Sequence, residues 1–187
     1  MIRRVSRGGI KLNGFLRDSG LSLSGLSVLD IGASHGGFTQ EALAAGARKV
    51  YALDVGKGIL DWKLRKLPEV IVMEGVNARN LRTEDFPEPP EVVLVDVSFI
   101  SLIKILPPVF SIASEAVVAL LKPQFEAGYS EVSKGEGVIT DETIHIRVIE
   151  EVKEAVRDDR WEFTGVYPSD IKGKKGNSEY FLYYLKK

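Results

Sequence analysis

The chain has no cysteine, which excludes a disulfide framework, thiolate metal sites and a cysteine nucleophile. It fits a reducing compartment, so a cytoplasmic protein is expected. There are only two histidines, His35 and His145, so a histidine-rich metal centre is not expected either. Long apolar runs are missing as well. The longest unbroken aliphatic stretch, Ala116 to Leu121, is far short of the roughly 20 residues that span a bilayer. The 100–110 stretch is broken by Ser101, Lys104 and two prolines. The early arginines are followed by no apolar segment, so no secretion signal is legible. A formal net charge of −1 carries no global signature of a polyanion binder.

What is present is ordinary for a globular protein. The 187 residues are 44% hydrophobic and 27% charged, enough for one domain, 1–187, with a full core. The charge is unevenly placed. Arg3, Arg4, Arg7 and Lys11 stand near the start with no acid among them. Lys172, Lys174, Lys175, Lys186 and Lys187 outweigh Asp170 and Glu179 near the end. Residues 141–162 are acidic. Solvated ends and a solvated helix face explain each cluster by itself. Two basic ends brought together by the fold would instead make a phosphate-binding surface.

Short apolar runs at 27–31, 49–53, 70–73, 92–95 and 116–121 read as buried strands. Helical patterns are expected from about Ser6 to Gly20, at 38–45, 60–66, around 100–106 and from Thr140 or Asp141 to about Arg157. Residues 124–138 read as loop, and 161–167 and 180–185 as the last strands. Strands alternating with helices argue an α/β fold, a mostly parallel sheet with helices on both faces. The last two strands have no room for a crossover helix, so that pair is expected to be antiparallel.

In such a sheet ligands bind beyond the C-terminal strand ends. The first strand runs into Asp30-Ile31-Gly32-Ala33-Ser34-His35-Gly36-Gly37-Phe38, a glycine-rich turn opening a helix. A dinucleotide loop wants G-x-G-x-x-G, and Ser34 stands where its second glycine belongs. The preceding Asp30 favours S-adenosylmethionine; a merely structural turn is the blander reading. His35 reads as an exposed loop residue rather than a catalyst. Asp54 ends the second strand, where an acid takes ribose hydroxyls or simply caps a turn. Asn77 follows the third strand and could meet an adenine edge. Asp96 and Lys122 end strands four and five, above the same sheet edge as the glycine loop. On pattern alone Lys122 is equally a snorkelling end residue.

Five segments carry a resemblance: Val5-Ser6-Arg7-Gly8-Gly9-Ile10-Lys11-Leu12, residues 30–39, Asp96-Val97-Ser98-Phe99-Ile100-Ser101-Leu102, Lys122-Pro123-Gln124-Phe125-Glu126-Ala127-Gly128 and Lys175-Gly176-Asn177-Ser178-Glu179. They closely resemble the TlyA family of FtsJ-like ribose methyltransferases, over nearly the whole chain. The resemblance implies a Rossmann-like class I methyltransferase fold and 2′-O-methylation of ribose, typically cytidine, in 16S or 23S rRNA. It implies a Lys-Asp-Lys-Glu tetrad at Lys11, Asp96, Lys122 and Glu179. Cofactor contacts are expected at Asp30, Gly32, Ala33, Ser34, Gly36, Gly37, Phe38, Asp54, Val55, Asn77 and Asp96, and no metal. Arg3, Arg4, Arg7, Lys172, Lys174 and Lys175 become candidate phosphate contacts. Ser98 and Phe99 become candidates for the nucleotide pocket, with Phe99 stacking on a base or serving as a core aromatic.

Members of this family usually carry an S4-type RNA-binding module before the VSRGG block. This chain starts four residues before that block, so the module is expected to be absent. The family is also called hemolysin-like. No spanning segment supports pore formation, and the 141–157 helix is amphipathic but acidic, unsuited to anionic lipid. Two rival functions are compatible with the glycine loop: methyl transfer to a different substrate, and cofactor binding without catalysis. The four intact tetrad residues disfavour both.

Overall fold

The computed structural model describes residues 7–173 and 175–187. Its strands are β1 (Ser27–Ile31), β2 (Lys49–Asp54), β3 (Val70–Glu74), β4 (Val92–Val95), β5 (Ala116–Leu121), β6 (Trp161–Pro168) and β7 (Tyr180–Lys186). They form one seven-stranded sheet in the order β3-β2-β1-β4-β5-β7-β6. All pairs are parallel except those made by β7, which runs antiparallel to both β5 and β6. The residue types explain this. β1, β4 and β5 are buried along their whole length, as strands covered on both faces must be. β6 starts at the buried Trp161 and then alternates exposed and partly buried positions, the pattern of an edge strand with one wet face.

Helices α1 (Arg7–Ser19) and α2 (Gly37–Ala44) cover one face. Leu12, Phe15, Phe38 and Ala42 pack there against Val28, Val50, Leu94, Val118 and Phe181. The other face is covered by α4 (Leu106–Ile112) and α7 (Glu142–Ala155). Phe110, Val148 and Val152 pack there against Leu29, Val93, Val117 and Leu182. Each fully buried large side chain contributes about 1.5–3 kcal/mol relative to exposure. Asp141 caps α7 by accepting the Thr143 N–H at 2.9 Å, and Ile144, Val148, Val152 and Val156 form its inward stripe. The short α3 (Trp62–Arg65) is capped by Asp61 and is shorter than the 60–66 pattern.

Two expectations need correction. The helix around 100–106 does not end at the prolines. A 3-10 turn at Leu102–Lys104 precedes α4, whose first turn contains the prolines. A proline lacks only an N–H that the first turn leaves unbonded anyway, so it starts a helix as readily as it stops one. Residues 124–138 are likewise not plain loop. They contain α5 (Pro123–Glu126) and α6 (Tyr129–Lys134), single turns too short to show a period.

The fold brings α1 against the last two strands. The Phe15 ring of α1 lies 5.3 Å from Tyr167, 4.9 Å from Phe181 and 5.6 Å from Tyr183. Arg17 pairs with Asp170 at 3.2 Å. The chain goes from β1 out to β3, then returns to β4 on the other side of β1. That reversal opens a crevice beyond Ile31 and Val95.

Candidate active site

The crevice holds a cavity of about 650 Å³. One wall is the turn between β1 and α2: Gly32, Ala33, Ser34, His35, Gly37 and Phe38. Gly32 has φ +85, and a Cβ there would lie 2.3 Å from the Asp96 carbonyl oxygen. Only glycine lets the end of β1 lie that close to the end of β4. Ser34, at φ +48, donates its N–H to Asp54 Oδ2 at 2.9 Å. The Gly56 N–H bonds Oδ1 of the same carboxylate at 2.8 Å. Asp54 therefore ties the β1 and β2 loops together, and each oxygen keeps a lone pair for another donor.

Asp54, Val55, Asn77 and Gly36 are not part of the cavity wall. Asn77 spends its Oδ1 on the Arg79 N–H at 3.1 Å, capping a 3-10 turn. Val55 is 70% exposed beside this region. His35 is exposed, with Nδ1 3.2 Å from Ser34 Oγ.

Asp30 lies at the floor. It is fully buried, and Oδ2 accepts the Thr39 hydroxyl at 2.6 Å. Its Oδ1 has no hydrogen-bond partner among the described residues. Burial, with smaller contributions from Asp96 and Asp54, pushes this carboxyl up to about 7. A buried acid with an unused oxygen on a cavity is suited to a cation.

The opposite wall carries two ion pairs. Lys11 of α1 meets Glu179, just before β7, at 2.5 Å, with side chains 9% and 4% exposed. Lys122, just after β5, lies 2.6 Å from Asp96 Oδ1, an ion-pair contact whose angle is poor for a hydrogen bond. Lys122 Nζ donates to the Val97 carbonyl at 2.9 Å and to Ser98 Oγ at 3.0 Å. All four residues line the one cavity. At its rim stand Arg7, which donates to the Lys172 carbonyl, and Lys175. Arg3, Arg4 and Lys174 lie outside the described residues. Phe99, at φ +63 and 90% exposed, sets its ring 5.0 Å from Phe125. It is no core aromatic.

A glycine loop at a topological switch point, beside paired lysines and carboxylates, is a small-molecule site with acid–base groups attached. Comparison with known proteins names it. Residues 4–186 match the FtsJ-like methyltransferase family. The chain belongs to that family. It is 42% identical over 181 residues to the 16S/23S rRNA (cytidine-2′-O)-methyltransferase TlyA of Mycobacterium tuberculosis, covering 96% of this chain and 67% of that protein. Its fold matches a Lactococcus lactis protein named as a hemolysin with a TM-score of 0.94 and 45% identity, covering 100% of this chain and 90% of the other. It also matches the magnesium protoporphyrin IX methyltransferase of Synechocystis PCC 6803 with bound SAH, with a TM-score of 0.61 and 15% identity over 94% of this chain and 80% of the other. That last likeness is one of fold. Among the described residues no helix is long and apolar enough to cross a membrane, and no cluster of His, Asp and Glu could hold a metal.

This FtsJ-like domain also uses residues to which sequence reasoning gave no role. Glu126 accepts the Leu102 N–H at 2.8 Å, fastening the far end of the 96–102 segment. Its Oε2 is buried without a hydrogen-bond partner among the described residues, and burial raises its pKa. Asn177, nearly fully buried, accepts the Ile139 N–H at 2.9 Å and donates to the Gly137 carbonyl at 2.8 Å. It thereby joins the 137–139 stretch of loop to the segment carrying Glu179. A Cβ on Gly173 would lie 2.3 Å from Glu179 Oε1, so a glycine makes room for that carboxylate. Glu126 and Asn177 stand inside the 122–128 and 175–179 motifs, but no spacing rule tells a clamp from a catalyst.

Proposed function

We propose that this chain transfers a methyl group from S-adenosylmethionine to the 2′-hydroxyl of a ribose, a cytidine of 16S or 23S rRNA. The observation that carries this reading is the arrival of Lys11–Glu179 and Lys122–Asp96, from four separate parts of the chain, in the cavity walled by the glycine loop.

The residues fit the cofactor. Asp30 offers an unused carboxylate oxygen to a cation, and Gly32 leaves room for close approach. Gly36, Gly37 and Phe38 open α2 on the same side, and Asp96 closes the cradle. Asp54, Val55 and Asn77 extend the site beyond the cavity toward the nucleoside. When bound, S-adenosylmethionine supplies an electrophilic methyl on a sulfonium, a leaving group that needs no protonation. The protein is left with orienting the hydroxyl and handling its proton. Lys122 sits where it can stabilise developing negative charge or receive the proton, and Asp96 orients it. Lys11 and Glu179 hold α1 and the start of β7 around the acceptor. Arg7, Lys172 and Lys175, with Arg3, Arg4 and Lys174, meet phosphates, while Ser98 and the exposed Phe99 face the nucleotide.

The test is direct. The protein is incubated with labelled cofactor and unmodified ribosomal subunits or free rRNA, and the modified position is mapped. Label on a ribose 2′-oxygen supports the reading; label on a base, or only on protein, refutes it. The related rRNA enzyme and the paired lysines favour this over a hemolytic activity.

A further inference from the structure

Lys122 is held by three oxygens, and all come from one short segment: Asp96 Oδ1, the Val97 carbonyl and Ser98 Oγ. The carbonyl and the carboxylate only accept hydrogen bonds. The hydroxyl accepts or donates by rotating its hydrogen. An ammonium needs acceptors; a neutral amine has a lone pair that needs a donor. Ser98 is therefore the one member of the trio that suits both states of Lys122. It is also the accessible one: Ser98 is exposed on the cavity, while the Lys122 side chain is 9% exposed. The segment is not loose. Phe99 sits at φ +63 against Phe125, and Glu126 holds the Leu102 N–H. A non-glycine residue keeps such a conformation only where its surroundings hold it there.

We propose that the Ser98 hydroxyl relays the proton of the acceptor hydroxyl to Lys122; this rests on the ribose-transfer reading above. The acceptor O–H breaks as its proton passes to Ser98 Oγ. The Ser98 O–H breaks as its own proton joins the Nζ lone pair. Ser98 ends as a hydroxyl and Lys122 as an ammonium. The electron pair left on the ribose oxygen takes the methyl group, and the S–C pair leaves with the sulfur. The ammonium then returns its proton to solvent through the same exposed hydroxyl.

Arg7, Lys11, Asp30, His35, Lys175 and Glu179 face the same cavity. Their charges act alike on all Ser98 variants, so a difference between variants isolates the hydroxyl. With RNA and cofactor saturating, Ser98→Ala is expected to slow single-turnover transfer about 10²-fold. Ser98→Thr, which keeps the hydroxyl, recovers most of that loss. Rates in mixtures of light and heavy water should give a bowed plot for the wild type, from two moving protons, and a straight one for Ser98→Ala. A second readout needs no methyl transfer. Followed by NMR in the cofactor-free protein, the Lys122 side-chain nitrogen resonance should shift in Ser98→Ala, which loses a charge-assisted acceptor, and stay near its wild-type position in Ser98→Thr. Ser98→Ala within twofold of the wild-type rate, or an unmoved Lys122 nitrogen resonance, overturns the relay. A wild-type protein that labels no ribose overturns the ribose reading instead, while the resonance still tests the Ser98–Lys122 contact.

Discussion

The two ion pairs of the cavity look alike in composition and differ in construction. Lys11–Glu179 joins the first helix to the last strand, and neither side chain has much access to water. Lys122–Asp96 joins the ends of adjacent strands, and Asp96 is 22% exposed. Lys122 also has Val97 and Ser98 as partners. One pair is thus a closure between distant parts of the chain. The other is open on one side, and one of its partners, the Ser98 hydroxyl, can meet the amine in either charge state. The difference teaches that equal residue types can be built into a buried closure at one place and a partly open, multiply bonded contact at another.

The largest expected effect tests the second half of that division. Lys122→Met should lower single-turnover transfer by about 10²–10⁴-fold with RNA and cofactor saturating, the usual range for loss of a positioned acid–base group. Its stability should fall less than that of a Lys11 variant, because Asp96 can be rehydrated. Near-normal transfer in Lys122→Met would remove the lysine from the mechanism.

The first half is tested by thermodynamics. Lys11→Met leaves Glu179 buried without its cation and should cost about 3–5 kcal/mol in denaturant unfolding. The double variant Lys11→Met/Glu179→Leu should regain most of that stability, since an apolar pair carries no desolvation penalty. Its methyl transfer should stay impaired. If the double variant is as unstable as the single one, the pair is not a simple closure.

These pairs also mark where the sequence was legible. The mostly parallel sheet was legible from apolar runs alternating with helices, because strands buried on both faces must be apolar throughout, as 92–95 and 116–121 are. The glycine loop was legible because its glycines, Gly32 and Gly36 at positive φ among them, stand within a few consecutive residues after an apolar strand, although the group that crowds Gly32, the Asp96 carbonyl, is distant in sequence. Lys11 and Glu179 were not legible from pattern, since nothing in a helix lysine or a strand-edge glutamate announces a partner on the opposite end of the chain. Only the resemblance to a family picked them out. The two single-turn helices after Lys122 escaped because one turn shows no period, and Pro107 and Pro108 misled because proline both stops and starts helices. Glu126 and Asn177 work by bonding backbone N–H and C=O groups far away in sequence, which no local reading sees.

A smaller effect comes from the cofactor side, where a single buried acid contrasts with the paired groups opposite. Asp30 titrates at about 7 because burial disfavours its charge. A bound cation favours that charge, so binding lowers the carboxyl's pKa and releases a proton. Affinity for S-adenosylmethionine should then rise with pH up to about 7 and level off above it. Below 7 it should fall by as much as about tenfold per unit. Calorimetry at pH 6 and 7.5 measures the difference, and Asp30→Asn should bind weakly with little of this dependence. Without cofactor the sign reverses for stability. A carboxyl raised above its unfolded value makes the fold less stable as pH climbs from the ordinary carboxylate range toward 7.

The smallest effect lies at the rim. Arg7 and Lys175 stand beside the cavity but outside both ion pairs, and both are exposed. An exposed lysine at a phosphate adds affinity through counterion release and does not select a sequence. Lys175→Ala should therefore weaken RNA binding modestly and uniformly across sequences, and lower the slope of log affinity against log salt by about 1. The single-turnover rate at saturating RNA should hold, because the charge acts before the hydroxyl reaches Lys122. A rate loss at saturation with an unchanged salt slope would move Lys175 from the rim into the chemistry and blur the line between the group that gathers the RNA and the pair that acts on it.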